Sequence, residues 1–368
     1  MSRFFDVCVC GDGVVGRAMA LLLAKERLKV ALVAQASSPR PADIRAYALN
    51  SASKQLLESL RVWPEEAFAT PVQKMLVCGD DGGALDFNAQ AAGQEALTWI
   101  VDVPQLESQL LQACGYQGLI ETVYTPVTAP LRIICEGQTS ISRSEMGVQW
   151  TRQPYAQKAI AARLDSDLPH NGTARQWFTQ HGEVLALLPM GGSQGNSLAL
   201  VWSVGDDHAA LLENLPPEEF CAQLVAACQQ SVGSLHLTTQ RASWPLTLGS
   251  ADRWVGPGWA LAGDAAHTVH PLAGQGLNLG LADAASLCQV LAGREYWRGL
   301  GDEKLLRRYE RSRKAEVAAV GAVTDGLQQL FAQTEPAWQA VRNWGMNGFA
   351  ASGPLKNWLT RRAAGSSF

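Results

Sequence analysis

The chain has 368 residues, 47% of them apolar and 17% charged, with a net charge of −4. That length is large for one hydrophobic core and implies two interleaved domains, while the mildly acidic balance gives no electrostatic reason to expect a nucleic-acid partner. The eight cysteines form no C-x-x-C pair, so zinc and disulfide frameworks both fail, no metal is expected, and a reducing cytoplasm fits. No apolar stretch reaches the roughly 18 to 20 residues that a spanning helix needs, and Asp12 and Arg17 interrupt the N-terminal apolar region that would otherwise mimic a signal peptide.

Residues 4 to 35 predict a βαβ unit. Strand Phe5 to Cys10 leads into the loop Gly11-Asp12-Gly13-Val14-Val15-Gly16, then helix Val14 to Arg27 with Ala18, Leu21 and Leu22 on one face, then strand Lys29 to Val33. Cys8 and Cys10 alternate along the first strand, so both point to one buried face. Glycines at these spacings permit a tight turn and the close approach of a pyrophosphate seated on the helix N-terminus. At the end of the second strand, where such a fold offers an acid to the adenosine ribose, stand Ala34 and Gln35. Gln35 can hydrogen-bond a ribose hydroxyl, though less strongly than a carboxylate. Ser37, Ser38 and Arg40 keep open a 2′-phosphate site, and with it a plain NADP reductase.

Asp43 to Asn50 carries Arg45 and leads into a helix through Ser53, Leu56, Leu57 and Leu60. Residues 72 to 101 predict short strands with a hairpin at Asp80-Asp81-Gly82-Gly83, and a helix follows from Pro104 to Cys114. The span Leu119 to Cys135 lacks periodicity, and Pro126 and Pro130 mark it as loops or edges. From Val148 to Val204 alternation returns, in Ala159-Ile160-Ala161, Leu185 to Leu188 and Leu198 to Val201, and predicts a largely antiparallel sheet that roofs a pocket. Pro216-Pro217 starts a helix running from Glu218 to Cys228.

Trp259 to Leu281 is the second informative stretch. A short apolar run reaches Gly263-Asp264, then His267, His270 and Pro271 lead into glycines at 274, 276 and 280, after which Ala282 to Leu291 predicts a helix. Glycine lets backbone approach a bulky ligand, and the helix N-terminus beyond it presents unpaired N–H groups suited to an anion or an electron-rich carbonyl. With two nucleotide-type loops about 250 residues apart, one large cofactor gripped from both ends is expected. Glu303 to Lys314 is rich in Lys and Arg, and Pro336 to Arg362 interleaves Trp338, Trp344 and Trp358 with Arg342, Lys356 and Arg361. Such a segment either sits in a membrane interface or packs its apolar face on its own protein.

Three segments together resemble the flavin-dependent aromatic hydroxylases of ubiquinone biosynthesis, within the wider para-hydroxybenzoate hydroxylase superfamily. They are Gly11 to Gly16; Asp43, Arg45, Ala48 and Leu49 with the run Leu57 to Trp63; and Gly263 to His267 continued through His270-Pro271-Leu272-Ala273-Gly274-Gln275-Gly276-Leu277-Asn278-Leu279-Gly280. The expected fold is α/β, with an FAD-binding Rossmann-like domain (1–70, 98–146 and 250–320) interleaved with a largely antiparallel β-sheet substrate domain (71–97 and 147–249) and a C-terminal helical region (321–368).

The resemblance implies that Gly11, Gly13 and Gly16, with Val14 and Val15, hold the FAD pyrophosphate, that Gln35 faces the ribose and that Arg45 reaches the cofactor. Gly263 and Asp264 would meet the ribityl chain. Pro271, Gly274, Gly276, Leu277 and Asn278 would lie along the isoalloxazine, the N–H groups of Gly276 to Asn278 stabilising negative charge on the reduced ring. It further implies NADPH or NADH as transient reductant, O2 as co-substrate and a C4a-hydroperoxyflavin that hydroxylates a polyprenylated phenol or related quinone precursor. Other quinone-biosynthesis proteins are expected partners, and a prenylated substrate implies peripheral attachment at the inner face of the membrane through residues 336 to 362. His267 and His270 are candidate general bases because they titrate near neutrality, although a histidine beside a glycine loop more often bonds backbone.

Four positions depart from the family pattern. Ala34 or Gln35 replaces the ribose acid, Pro104 stands where the family tends to carry arginine, Glu136-Gly137 replaces Asp-Gly ahead of Ser140 and Arg143, and Ala282 replaces an arginine before Asp283. Each lost charged hydrogen bond is expected to weaken FAD binding by ~1.5 to 3 kcal/mol. The departures keep a second expectation open, a catalytically degenerate flavoprotein-like scaffold subunit of a quinone-biosynthesis assembly.

Overall fold

A computed structural model of the chain describes residues 4–35, 43–79, 84–179, 182–229, 231–269 and 275–332, with side chains as far as Gly321. The expected hairpin tip Asp80-Asp81-Gly82-Gly83, the residues Ser37, Ser38 and Arg40, the stretch from His270 through Pro271 to Gly274, and the segment 336 to 362 lie outside the described residues.

The first strand, Val7–Cys10, is buried along its whole length because it is hydrogen-bonded on both sides in a mostly parallel sheet. In that sheet the strands run in the order Val255–Gly256, Trp259–Leu261, Leu131–Ile134, Val7–Cys10, Val30–Val33 and Ile120–Val123. Cys8 and Cys10 share a face, their sulfurs 4.0 Å apart. Leu119 to Cys135 is thus not merely loops and edges. It contributes an edge strand and a central strand whose registers pair Ile133 with Val9 on one side and with Ala260 on the other. The reason is physical: a parallel strand covered on both faces, here Leu-Arg-Ile-Ile, has no solvent side and so shows no alternation.

The helix Val14–Lys25 lies over this sheet with Ala18, Met19, Ala20, Leu21, Leu22 and Leu23 all buried, since the helices Val103–Tyr116 and Gln275–Ala292 pack against it as well. Gln275–Ala292 begins seven residues before the expected start at Ala282. Glycine-rich sequence ordinarily marks loops. Here Gly280 is inside the helix because a Cβ on it would come within 2.7 Å of Val15 Cγ2.

The second sheet is largely antiparallel, as expected. Its strands run Ala84–Asn88, Lys74–Cys78, Thr173–Phe178, Val184–Pro189, Ser197–Gly205, Trp150–Ser166, Ala242–Ala251 and His267–Thr268, with Leu235–Leu237 also on Trp150–Ser166 and one parallel pair between Lys74–Cys78 and Thr173–Phe178. Trp150–Ser166 shifts register between Pro154 and Lys158, where Ala156 takes a φ of +52°, so the long strand bends at a bulge. Helices Asp206–Asn214 and Pro217–Ala227 cover one face, burying Ile160, Leu164, Leu200, Trp202, Phe220 and Leu224 together. The other face carries small side chains in register, Ala161 beside Val201 and Val201 beside Ala186. A short sheet of Ala46–Leu49, Thr98–Asp102 and Ala69–Val72 joins the two large ones, and Ala46, Ala48, Met75, Leu188 and Met190 form an apolar cluster where it meets the second sheet.

Candidate cofactor and active site

The two glycine loops, distant in sequence, touch. Gly263 takes a φ of +63°, and a Cβ there would lie 3.4 Å from Val15, the same side chain that Gly280 packs against. Val15 is therefore a spacer between the loops. Gly11 has a φ of +109° and its would-be Cβ lies 2.5 Å from the Cys135 carbonyl oxygen, while one on Gly16 would lie 1.9 Å from the Gly11 oxygen. Those two glycines close the turn. Gly13 differs, because a Cβ there meets nothing within 4 Å among the described residues. It caps the helix that starts at Val14 with its side-chain direction open, which suits a phosphate approaching the free N–H groups.

Gln35 lies exposed two residues beyond the second strand. Arg45 is half-exposed and pairs with Asp43, Nη2 to Oδ2 2.6 Å, and more loosely with Glu107 at 3.5 Å. Its guanidinium lies 5.9 Å from the centre of the Tyr47 ring. Burial pushes the Asp43 carboxyl up, but hydrogen bonds from Arg45 outweigh it and hold the group below its ordinary value. Tyr47 and Asp264 complete the cluster. Burial raises the pKa of both, and each feels the other's neighbourhood: the Asp264 charge adds to the rise at Tyr47, and Arg45 opposes the rise at both. Tyr47 escaped the sequence reasoning, although its place two residues after Arg45 along the Ala46–Leu49 strand was the available signal.

Asp264 is thus a carboxylate kept at a cost. With its folded pKa raised, it contributes stability below its unfolded value and loses it as pH rises through the folded one. Asp264→Asn is expected to raise the melting temperature of the cofactor-free protein at pH 7 and to weaken FAD binding. Thermal melts with and without added FAD measure both, and a variant less stable than wild type in the cofactor-free state would contradict this account.

The helix Gln275–Ala292 presents the N–H groups of Gly276, Leu277 and Asn278 in its first turn, and a Cβ on Gly276 would meet nothing within 4 Å among the described residues. The Asn278 side chain is buried and turned away from that end. Its Nδ2 donates to the Ala48 carbonyl at 2.8 Å, and its Oδ1 accepts from Asn50 N at 3.0 Å and Ser53 Oγ at 2.7 Å. Asn278 fastens the helix end to the strand and helix that carry Arg45 and Tyr47.

His267 is 3% exposed, with Nε2 2.7 Å from Asp283 Oδ2, and its ring stacks on Trp254 at 4.8 Å. Asp283 also accepts from Gly263 N at 2.9 Å and from Arg313 Nε at 2.7 Å, and Arg313 in turn pairs with Glu316. This buried network holds the backbone of the Gly263-Asp264 turn from behind. A second support comes from Glu136, whose carboxylate accepts from Ser140 Oγ, Ser142 N and Ser142 Oγ at 2.7, 3.0 and 2.6 Å. Ser140 caps the helix Ile141–Glu145 by accepting from Arg143 N, and glutamate in place of aspartate holds that cap and so places Arg143, which donates to the Ala265 carbonyl at 3.0 Å. Pro104 occupies the first turn of Val103–Tyr116, where Asp102 caps it.

These residues fit an extended dinucleotide: a tight turn, an open helix N-terminus, a desolvated acid and a second helix packed on the first through Val15 and Gly280. Residues 116–324 match the FAD binding domain family. The chain is 30% identical to ubiquinone hydroxylase UbiL of Rhodospirillum rubrum over 99% of its own length and 90% of that protein. It is 28% identical to 3-demethoxyubiquinol 3-hydroxylase of Escherichia coli, covering 98% of each chain. Among solved structures, p-nitrophenol 4-monooxygenase PnpA from Pseudomonas putida has the same fold, with a TM-score of 0.78 across 100% of both chains at 15% identity. The chain belongs to the FAD-dependent hydroxylases of the ubiquinone-biosynthesis branch of the para-hydroxybenzoate hydroxylase superfamily, and it is a flavin monooxygenase.

Proposed function

We propose that the chain hydroxylates the aromatic ring of a polyprenylated phenol or related ubiquinone precursor. The observation that carries this reading is the meeting of the two glycine loops across Val15. FAD, when bound and reduced by NADPH or NADH, supplies the activation of O2 that delivers one oxygen atom to the ring. We place the cofactor on segments 1–70, 98–146 and 250–320 and the substrate against 71–97 and 147–249.

In this reading Gly11, Gly13, Val14 and Gly16 cradle the pyrophosphate, with Val15 holding the loops apart. Gln35 serves the ribose, Arg45 and Asp264 orient the middle of the cofactor, and the N–H groups of Gly276 to Asn278 stabilise negative charge at the ring end. Pro271 and Gly274 stand just before that helix in the sequence. The half-buried side chains of Ala46, Ala48, Met75 and Leu188 form an apolar wall that excludes water from a bound ring. His267 serves as a positioning group, since its Nε2 is committed to Asp283 in a site closed to solvent. The scaffold alternative is not favoured, because Glu136 and Arg143 retain a supporting role despite the change in sequence.

A hydrophobic substrate suits peripheral attachment to the membrane, with 336 to 362 as the contact; no helix among the described residues is long and apolar enough to cross one. The test is the visible spectrum of the purified protein, followed by O2 uptake with NAD(P)H and a prenylated phenol presented in anionic lipid vesicles. The expected result is a flavin spectrum bleached by the nicotinamide, substrate-dependent O2 uptake and co-sedimentation with the vesicles. A colourless protein that FAD cannot reconstitute rejects the function, and protein left in the supernatant rejects the membrane contact alone.

A further inference from the structure

Arg17 sits near the start of the first helix with 12% of its side chain exposed, Nη2 3.3 Å from Asp12 Oδ2 and Nη1 3.5 Å from the Glu107 carbonyl oxygen. Both distances are long for bonds from a charged donor, which run ~2.7 to 2.9 Å. Its Nε is buried and has no acceptor among the described residues. A guanidinium offers five donors in a fixed fork, and leaving one buried and unmade is unfavourable. This cation lies at the rim of the glycine loop, where Asp12 holds it, and is only loosely satisfied there.

The surroundings define what it lacks. Asp12 puts a carboxylate into a turn whose open glycine and helix N-terminus favour an anion, so it opposes phosphate binding by like charge unless something offsets it. The neighbouring helix Val103–Tyr116 carries no lysine or arginine and contributes Glu107. Arg45, the other guanidinium nearby, is committed to Asp43 and reaches Glu107. A diphosphate arriving at Gly13 meets one under-used cation, and it is Arg17.

We propose that Arg17 is a phosphate-binding residue of the cofactor site: it neutralises Asp12 and turns its unpartnered donor edge to the pyrophosphate of FAD. This deepens the cofactor assignment and rests on it. A residue in this role acts on FAD and not on riboflavin, which carries no phosphate, and it acts whether or not Asp12 is charged.

Cofactor-free protein is titrated with FAD and with riboflavin, flavin fluorescence reporting binding, for wild type, Arg17→Leu, Asp12→Asn and the double variant. Arg17→Leu is expected to raise the FAD dissociation constant roughly tenfold or more and to leave riboflavin binding unchanged. Asp12→Asn is expected to tighten FAD binding, with the double variant still weaker than Asp12→Asn alone. A double variant that binds FAD as tightly as Asp12→Asn overturns the proposal, because Arg17 would then serve only Asp12. Equal losses for FAD and riboflavin overturn it too, by making the effect one of local packing. Wild-type protein that takes up neither flavin overturns the cofactor assignment itself, and the proposal with it.

Discussion

Gly16→Ala is expected to cost the protein its stability, and Gly13→Ala only its cofactor. A single methyl on Gly16 would sit 1.9 Å from the Gly11 oxygen, a backbone atom that cannot swing aside. Gly11 has no room to retreat, because a Cβ direction at its own φ of +109° already runs into the Cys135 carbonyl at 2.5 Å. The loop and the helix must therefore separate, at a cost near the upper end of overpacking, about 3 kcal/mol. That is a fall in melting temperature of roughly 6 °C or more, with FAD binding lost. At Gly13 the added methyl meets nothing within 4 Å among the described residues, and a φ of −74° suits alanine. Only the preference for glycine over alanine at a helix cap opposes the change, so stability falls by about 1 kcal/mol at most. FAD affinity nevertheless falls about tenfold or more, since the methyl fills the space through which the pyrophosphate approaches the helix end. Melting curves of the cofactor-free variants and flavin titrations separate the two effects. Equal loss of stability in both variants, or wild-type FAD affinity in Gly16→Ala, would contradict the packing described.

The contrast between those glycines also marks what the sequence can disclose. The spacing of Gly11, Gly13 and Gly16 between a strand and a helix announces a nucleotide turn, because that turn needs those backbone freedoms in that order. It does not say which glycine faces ligand and which faces protein, since that depends on Cys135 and Gly280, remote in the chain. Strand Leu131–Ile134 was hidden for the same reason: a strand buried on both sides carries no pattern of its own. The helix at Gln275 was placed late because glycine is read locally as a breaker, whereas Gly280 is required there by the closeness of Val15. The motifs single out Arg45 and Asp264, and the fold brings both beside Tyr47. The roles of Asn278, Arg143, Asp283 and Arg313 were not legible, because each acts through a partner that only tertiary structure supplies.

Asp283→Asn is expected to be the most destabilising isosteric change in the cofactor domain. The carboxylate is fully buried, and burial alone would raise its pKa. The charges and hydrogen bonds of His267 and Arg313 outweigh that and hold it below the ordinary carboxylate value. A group whose folded pKa is depressed gives stability that is present in full above its unfolded pKa, ~3.9, and is lost as pH falls through the folded value. Wild-type stability owed to this group is therefore flat from neutrality down to about pH 4 and declines below it. Asparagine keeps the shape and an acceptor for Gly263 N, but leaves Arg313, 3% exposed, without its buried counter-charge apart from Glu316 at the surface. Breaking a buried pair from one side costs about 3 to 5 kcal/mol. Removing both charges in Asp283→Asn with Arg313→Leu is expected to recover part of that loss, since no charge is then stranded. Urea unfolding of the cofactor-free proteins at pH 7 and in steps down to pH 3 measures each quantity. Asp283→Asn should start lower and show a shallower acid decline than wild type. A variant within about 0.5 kcal/mol of wild type at pH 7, or one with an unchanged acid slope, would mean that the pair behind the Gly263-Asp264 turn does not hold it.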